Sequence, residues 1–268
     1  MEPILVTGSA GGRQGSTGRL VTELLLERGH AVRAFVHSDD ERAARLRKLG
    51  AEVVVGDLRE IASVLPAVSG VRRAFFTYPV TDGLLDATAA FAAAARQEGV
   101  ERVVEVSQLA AGPDAPTPHM RQHWLSEEVF DRAEVGAVHL RAAVFFENLA
   151  VLVAAGGGHE LALPLGAPDT VIPLIAAADV ARVAAGILAD PALDVDPVCR
   201  LTGEILTVRE IVEAFGAGRG AEVKYTNVPR RNGCSGRSPS TATRTPSSTC
   251  RSSGRSSGSS GQVTTSTR

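Results

Sequence analysis

The stretch Thr7-Gly8-Ser9-Ala10-Gly11-Gly12-Arg13-Gln14-Gly15-Ser16-Thr17-Gly18 decides the fold. A short apolar run, Pro3-Ile4-Leu5-Val6, precedes it, and Leu20, Val21, Leu24 and Leu25 follow at helical spacing. The reading is strand, tight turn, helix. In that context a glycine pattern points to a dinucleotide: glycines let the chain turn sharply and approach a pyrophosphate closely. Free amides at the start of the helix, with its dipole behind them, favour the negative charge. Six residues lie between Gly8 and Gly15, a longer insertion than the plain fingerprint has. Among them Arg13 has a planar fork suited to a phosphate. The competing reading is a long surface loop whose glycines only make turns.

Outward from this turn, strand and helix patterns alternate. Ala31 to Val36 reads as the second strand and Asp40 to Leu49 as a polar helix. Ala51 to Val55 and Val71 to Thr77 read as the third and fourth strands. Leu84 to Gln97 is an alanine-rich helix, and Glu101 to Ser107 a fifth strand. Apolar, β-branched strands separated by helices predict an α/β fold with a parallel sheet covered on both faces. Right-handed crossovers make it a doubly wound, Rossmann-type sheet that binds ligands at the carboxyl ends of its strands. An acidic residue at the end of the second strand would hold the ribose hydroxyls of NAD, but His37-Ser38 stand there before Asp39-Asp40. His37 with Arg13 suits a 2′-phosphate, which favours NADP(H) over NAD(H). The plainer alternative makes His37 a solvated turn residue and Asp39 the cap of the next helix.

A chain of 268 residues buries a full core. A net charge of −2 gives no basic field for nucleic acid or an anionic membrane. Met1 to Gly11 lacks the pattern of a signal peptide, and no apolar run is long enough to cross a bilayer. Of the three cysteines, Cys199 alone lies in the well-patterned body, which provides neither a disulfide framework nor a zinc site. A cytoplasmic location is expected.

The run from Ile4 to Val36, the turn Gly56-Asp57-Leu58, Ser107, and the phrase Leu140-Arg141-Ala142-Ala143-Val144-Phe145-Phe146-Glu147-Asn148-Leu149 resemble the NmrA-like family over roughly residues 3 to 225. That family is an atypical branch of the short-chain dehydrogenase/reductases, with NADP-sensing regulators and NAD(P)H:quinone reductases among its members. The resemblance implies that Gly8, Gly11, Arg13, Gln14, Gly15, Thr17 and Gly18 wrap the pyrophosphate. It puts Asp57 and Leu58 at the adenine, and Thr77, Tyr78 and Pro79 at the nicotinamide ribose. Ser107 falls at the position of the family's catalytic serine, and Asn148 beside the substrate cleft. Asp57 as a turn former and Tyr78 as packing are the plainer readings.

The Tyr-x-x-x-Lys dyad of typical members falls near His119 and His123, where this chain has His-x-x-x-His. A histidine there could act as the general acid, having a pKa near neutrality. His119, His123 and Glu127 share one helical face and could ligate a metal, although no further ligand is evident and no metal is expected. The third reading is an ordinary polar helix face lining the cleft. Hydride delivery to a quinone needs little acid from the protein, because water can protonate the reduced oxygens.

Residues 1–150 are therefore expected to form the NAD(P)-binding domain and 151–229 a small C-terminal substrate lobe packed on it. Asp179 reads as a helix cap, and Thr207 with Glu210 as a capping box. Residues 230–268, rich in Ser, Thr, Arg and Gly, cannot bury a core and should be disordered. The abrupt change there resembles translation in a shifted reading frame. The expected function is NADPH-dependent hydride transfer to a quinone-like or other small conjugated acceptor, with Ser107, His119 and His123 as the catalytic candidates. The alternative is a non-catalytic NAD(P) redox sensor acting through a protein partner. Both leave room for a homodimer, and neither calls for a specific nucleic acid or a membrane.

Overall fold

The computed structural model describes residues 2–12, 15–79 and 81–228. The expectations for Arg13, for Gln14 and for the tail 230–268 lie outside the described residues.

The elements run β1 (Ile4–Val6), α1 (Thr17–Glu27), β2 (Val32–Val36), α2 (Glu41–Lys48), β3 (Glu52–Val55), α3 (Ile61–Val68), β4 (Arg73–Phe76), α4 (Leu84–Gln97), β5 (Arg102–Gln108), α5 (Pro118–Ala133) and β6 (Ala137–Ala142). They continue with β7 (Val144–Phe145), α6 (Phe146–Ala155), β8 (Glu160–Leu163), β9 (Val171–Ile175), α7 (Ala177–Ala189), β10 (Val198–Leu201), β11 (Ile205–Thr207), α8 (Val208–Arg219) and β12 (Lys224–Asn227). Seven parallel strands form the central sheet in the order β10-β6-β5-β4-β1-β2-β3. The strand order reverses between β1 and β4, the crevice at which doubly wound sheets bind ligands.

Side-chain alternation divides the core. Leu5, Ala74, Phe76 and Val103 face α3, α4 and α5, where the rings of Phe76, Phe91 and Phe130 meet with centroids 5.0–6.2 Å apart. Ile4, Val6, Phe75, Val104, Val138 and Leu140 face the other way, onto α1 and α7. Because successive strand residues point to opposite faces, this single register fixes both layers.

Beyond β6 the chain divides its elements. A three-stranded sheet, β11-β9-β7, and the pair β12-β8 stand apart from the central sheet. With α6 and α8 they enclose a core of their own around Leu149, Val153, Leu161, Leu174, Ile211 and Val223. The helix α7 and the strand β10 return to the central layers instead, so residues 151–228 contribute to both. The capping box at the start of α8 is formed as expected. Two caps fall elsewhere. Asp40, not Asp39, caps α2, accepting from the amides of Arg42 and Ala43, because Asp39 is drawn to Arg47. Asp179 sits inside the first turn of α7 and pairs with Arg182. The amide at that helix start is instead satisfied by Glu147 Oε1, at 2.9 Å.

No helix of the described residues is long and apolar enough to cross a membrane.

Candidate functional site

At the crevice, the glycine turn is fixed from beneath. Thr7 Oγ1 donates to Thr77 O at 3.0 Å and accepts from Thr77 N at 2.8 Å, which locks the ends of β1 and β4 together. Ser9 Oγ donates to Val6 O and accepts from Thr22 Oγ1 at 3.1 Å, so the turn is anchored to α1. Gly8 adopts φ +67°, and a Cβ there would lie 2.7 Å from Thr77 Cγ2. Gly18 packs so closely on the end of β1 that a Cβ would come within 2.6 Å of Gly8 C. Gly15 is different: among the described residues, a Cβ on it would meet nothing within 4 Å. The lengthened loop folds back on itself through Gly12 N donating to Gly15 O at 2.9 Å. Among the described residues no side chain caps α1, and its first turn carries no acid, so its leading amides are left for a ligand.

A cavity of about 900 Å³ opens from this turn. Gly8, Gly11, Gly15, Thr17 and Gly18 line one end, with Thr77, Tyr78 and Pro79 beside them; Ser107, His123 and Asn148 line it further on. The remaining wall is largely apolar and includes Leu109, Met120, Phe145, Leu165 and Ile172. Four sequence candidates are not part of this lining. His37 is exposed at the end of β2. Asp57 and Leu58 follow β3, where Arg59 grips the Asp57 carboxylate and holds it near a pKa of about 2. His119 stands behind His123, their rings edge to face at 4.7 Å.

The three residues of the α5 face do not act together. Burial first, and then the charge of His119, push the pKa of His123 down to about 3. At neutral pH this ring is uncharged, able to hydrogen-bond but not to deliver a proton as an imidazolium. Glu127 turns from the histidines to Arg141, which donates through Nε at 2.9 Å and Nη2 at 2.5 Å. Ser107 Oγ also donates to Glu127, at 2.5 Å.

This last network was absent from the sequence reading, as was its neighbour. Glu105 lies directly across from His139, and Ser107 across from Arg141. All four point to the α5 side, and α5 meets them with Ser126, Glu127 and Asp131. Glu105 accepts from Ser126 at 2.9 Å and contacts His139 Nδ1 at 2.6 Å; Asp131 takes His139 Nε2 at 3.0 Å. Burial pushes the Glu105 carboxyl upward and the contact with His139 pulls against it. With an acceptor at each ring nitrogen, the proton belongs on the imidazole. For His139 itself burial acts to lower the pKa, but the two carboxylates outweigh it and raise the pKa to about 9. The signal was present in the sequence as a carboxylate and a histidine inside apolar strands, Val103-Val104-Glu105-Val106 and Val138-His139-Leu140. Buried charges of that kind require partners.

Among known proteins, a family model described as the NmrA-like family matches residues 2–233. The NAD(P)H azoreductase of Xenophilus azovorans is 30% identical over 229 residues, covering 84% of this chain and 77% of that one. Two solved structures share the fold. The NADPH-dependent quinone oxidoreductase of Escherichia coli, complexed with NADPH, has a TM-score of 0.72 and 22% identity, covering 84% of this chain and 78% of its own. The Citrobacter sp. triphenylmethane reductase complexed with NADP(H) has a TM-score of 0.70 and 22% identity, covering 84% and 79%. The match to the family model across all the described residues, together with the azoreductase similarity, shows that the chain belongs to the NmrA-like family.

Proposed function

We propose that this protein is an NAD(P)H-dependent reductase that transfers a hydride to a small conjugated acceptor such as a quinone. The observation that carries the reading is the single cavity that joins an uncapped helix start and glycine turn to an apolar chamber. The first part suits a pyrophosphate and the second a flat, uncharged ring system. The residues fit a dinucleotide on their own geometry: a Cβ at Gly8 or Gly18 would collide with protein, whereas Gly15 leaves open space where a ligand's phosphates could lie. Gly8, Gly11, Gly15, Thr17 and Gly18 would hold the pyrophosphate, and Thr77, Tyr78 and Pro79 the adjoining ribose.

When bound, the reduced dinucleotide supplies a hydride from C4 of its nicotinamide ring. The balanced reaction takes one NAD(P)H, one acceptor and one proton to NAD(P)⁺ and the two-electron-reduced acceptor. The chain's part is to position the acceptor and exclude bulk water from the hydride path. Ser107, held by Glu127, and neutral His123 fix the orientation of the acceptor. His123 is neutral and Ser107 commits its proton to Glu127, so neither supplies the proton, which comes from water.

NADP(H) is the proposed cofactor over NAD(H). Strand β2 ends in His37-Ser38 without a carboxylate, and the acids that follow are already engaged, Asp39 by Arg47 and Asp40 by Arg42. Arg42 also donates to Gly11 O at 3.0 Å, setting a cation beside the glycine turn. Calorimetric titration with NADPH and with NADH tests the reading, followed by NADPH oxidation with 1,4-naphthoquinone. Binding of NADPH more tightly than NADH, with acceptor-dependent oxidation, is the expected result. A folded chain that binds neither dinucleotide would end the proposal.

A further inference from the structure

The ring of His123 has one nitrogen shut away and one left open. His123 stands on the second turn of α5, one turn after Met120, and both residues line the cavity. Its Nδ1 is buried with no hydrogen-bond partner among the described residues. Nε2 has no partner among them either and is not closed off in the same way, so it is the nitrogen that this lining residue presents to the cavity. The neighbouring groups are engaged elsewhere or do not reach it. His119 meets the ring edge to face at 4.7 Å without a hydrogen bond, and its own Nε2 is buried and unpartnered. Glu127, one turn further along α5, is held by Ser107 and Arg141. Among the described residues, His123 has no group with which to relay a proton.

A neutral imidazole carries one N–H and one lone pair. His123 is neutral because burial, and then the charge of His119, disfavour its imidazolium. Which nitrogen holds the hydrogen follows from cost. A buried N–H without an acceptor is the rarer and more costly orphan, so the hydrogen belongs on Nε2 and the bare lone pair on Nδ1. We propose that His123 is the oxyanion donor of this reductase: its Nε2–H hydrogen-bonds a carbonyl oxygen of the acceptor and stabilises the negative charge that gathers there. The inference rests on the reductase reading and names what the acceptor must present, an oxygen lone pair conjugated to the atom that receives the hydride. The reaction balances without a change of state at the histidine. The electron pair displaced by the hydride moves onto the carbonyl oxygen, which then takes a proton from water while His123 keeps its own. A donor in a largely apolar cavity acts most where charge develops, so it lowers the barrier more than it tightens binding.

The test uses the full chain and has three readouts. In the NADP⁺ complex of a chain isotopically labelled at its histidine nitrogens, NMR should show His123 as the neutral Nε2–H tautomer. Infrared difference spectra of the same complex should show the carbonyl stretch of bound 1,4-naphthoquinone moved to lower frequency. That shift should vanish in His123→Leu while the quinone still binds. With NADPH, His123→Leu should lower kcat for 1,4-naphthoquinone about a hundredfold and leave KM within about threefold of the parent value. His123→Gln, whose amide N–H reaches the place of Nε2–H, should recover most of the rate. An Nδ1–H tautomer overturns the inference. So does a carbonyl stretch that is unshifted in the parent chain or equally shifted in His123→Leu, and so does a Gln variant no faster than the Leu one. The tautomer and the stretch of the parent chain carry the test if His123→Leu does not fold. Failure to bind NADP⁺ at all overturns the reductase reading instead.

Discussion

At the scale of single residues, two glycines of one turn have separable duties. Gly18 is a packing residue: its missing Cβ lets α1 sit against the end of β1, with Gly8 C only 2.6 Å from where that carbon would be. Gly18→Ala forces backbone apart, and overpacking of that kind costs about 1–3 kcal/mol. Gly15 has open space around it and faces the cavity. In Gly15→Asp the fold should therefore survive, while bulk and like charge oppose the pyrophosphate. The expected pattern is a lowered urea midpoint and weakened NADPH binding for Gly18→Ala, against an unchanged midpoint and lost binding for Gly15→Asp. Full NADPH affinity in a folded Gly15→Asp chain would mean that the ligand lies elsewhere.

At the scale of elements, α8 rests on a local device. Thr207 accepts from Glu210 N at 3.2 Å while the Glu210 carboxylate accepts from Thr207 N at 2.7 Å, satisfying amides that the helix cannot. Thr207→Ala should cost about 1 kcal/mol, read as a shift in the thermal unfolding of the chain. An unchanged transition would mean that packing on Ile211, not the cap, holds the helix start. This motif was legible in the sequence because all its atoms lie within four residues, and so was α4, whose run Leu84–Gln97 carries an unbroken helical pattern. The helix α3 was not, since Pro66 falls inside only eight residues and breaks the local signal. The same distinction governs the site. The glycine turn could be read because its spacing is local. The joining of Ser107, Glu127 and Arg141 could not, because it depends on the register of β5 against β6 and on which face of α5 covers them. The cap on α7 defeated a local reading for the same reason: Glu147 reaches Ala177 from another helix, while Asp179 lies inside the first turn, past the cap position, and pairs with Arg182.

At the scale of the whole molecule, the polar quartet of β5 and β6 ties the central sheet to α5, the helix that brings His123 to the cavity. An apolar joint there would be indifferent to pH, but this one includes a buried imidazolium between two carboxylates. The sign follows from linkage. His139 has an ordinary value of 6.5 and is raised to about 9 in the folded chain, so the folded state holds its proton more tightly than the unfolded state does. The stabilisation is complete below about pH 6.5, declines as the pH rises, and is lost once the pH passes through about 9. A shift of that size corresponds to something on the order of 3 kcal/mol. Urea unfolding between pH 6 and pH 9.5 should thus show a falling midpoint with an unchanged slope. Replacing both Glu105 and His139 with Leu removes the proton linkage without leaving a lone buried charge, and the double variant should have a flatter profile over this range. If the parent chain is as stable at pH 9.5 as at pH 6, or if the double variant keeps the same decline, the imidazolium is not what joins α5 to the sheet. The position of His123 would then have to be attributed to the bonds of Glu127 with Ser107 and Arg141 and to the packing of Phe130 and Ala133.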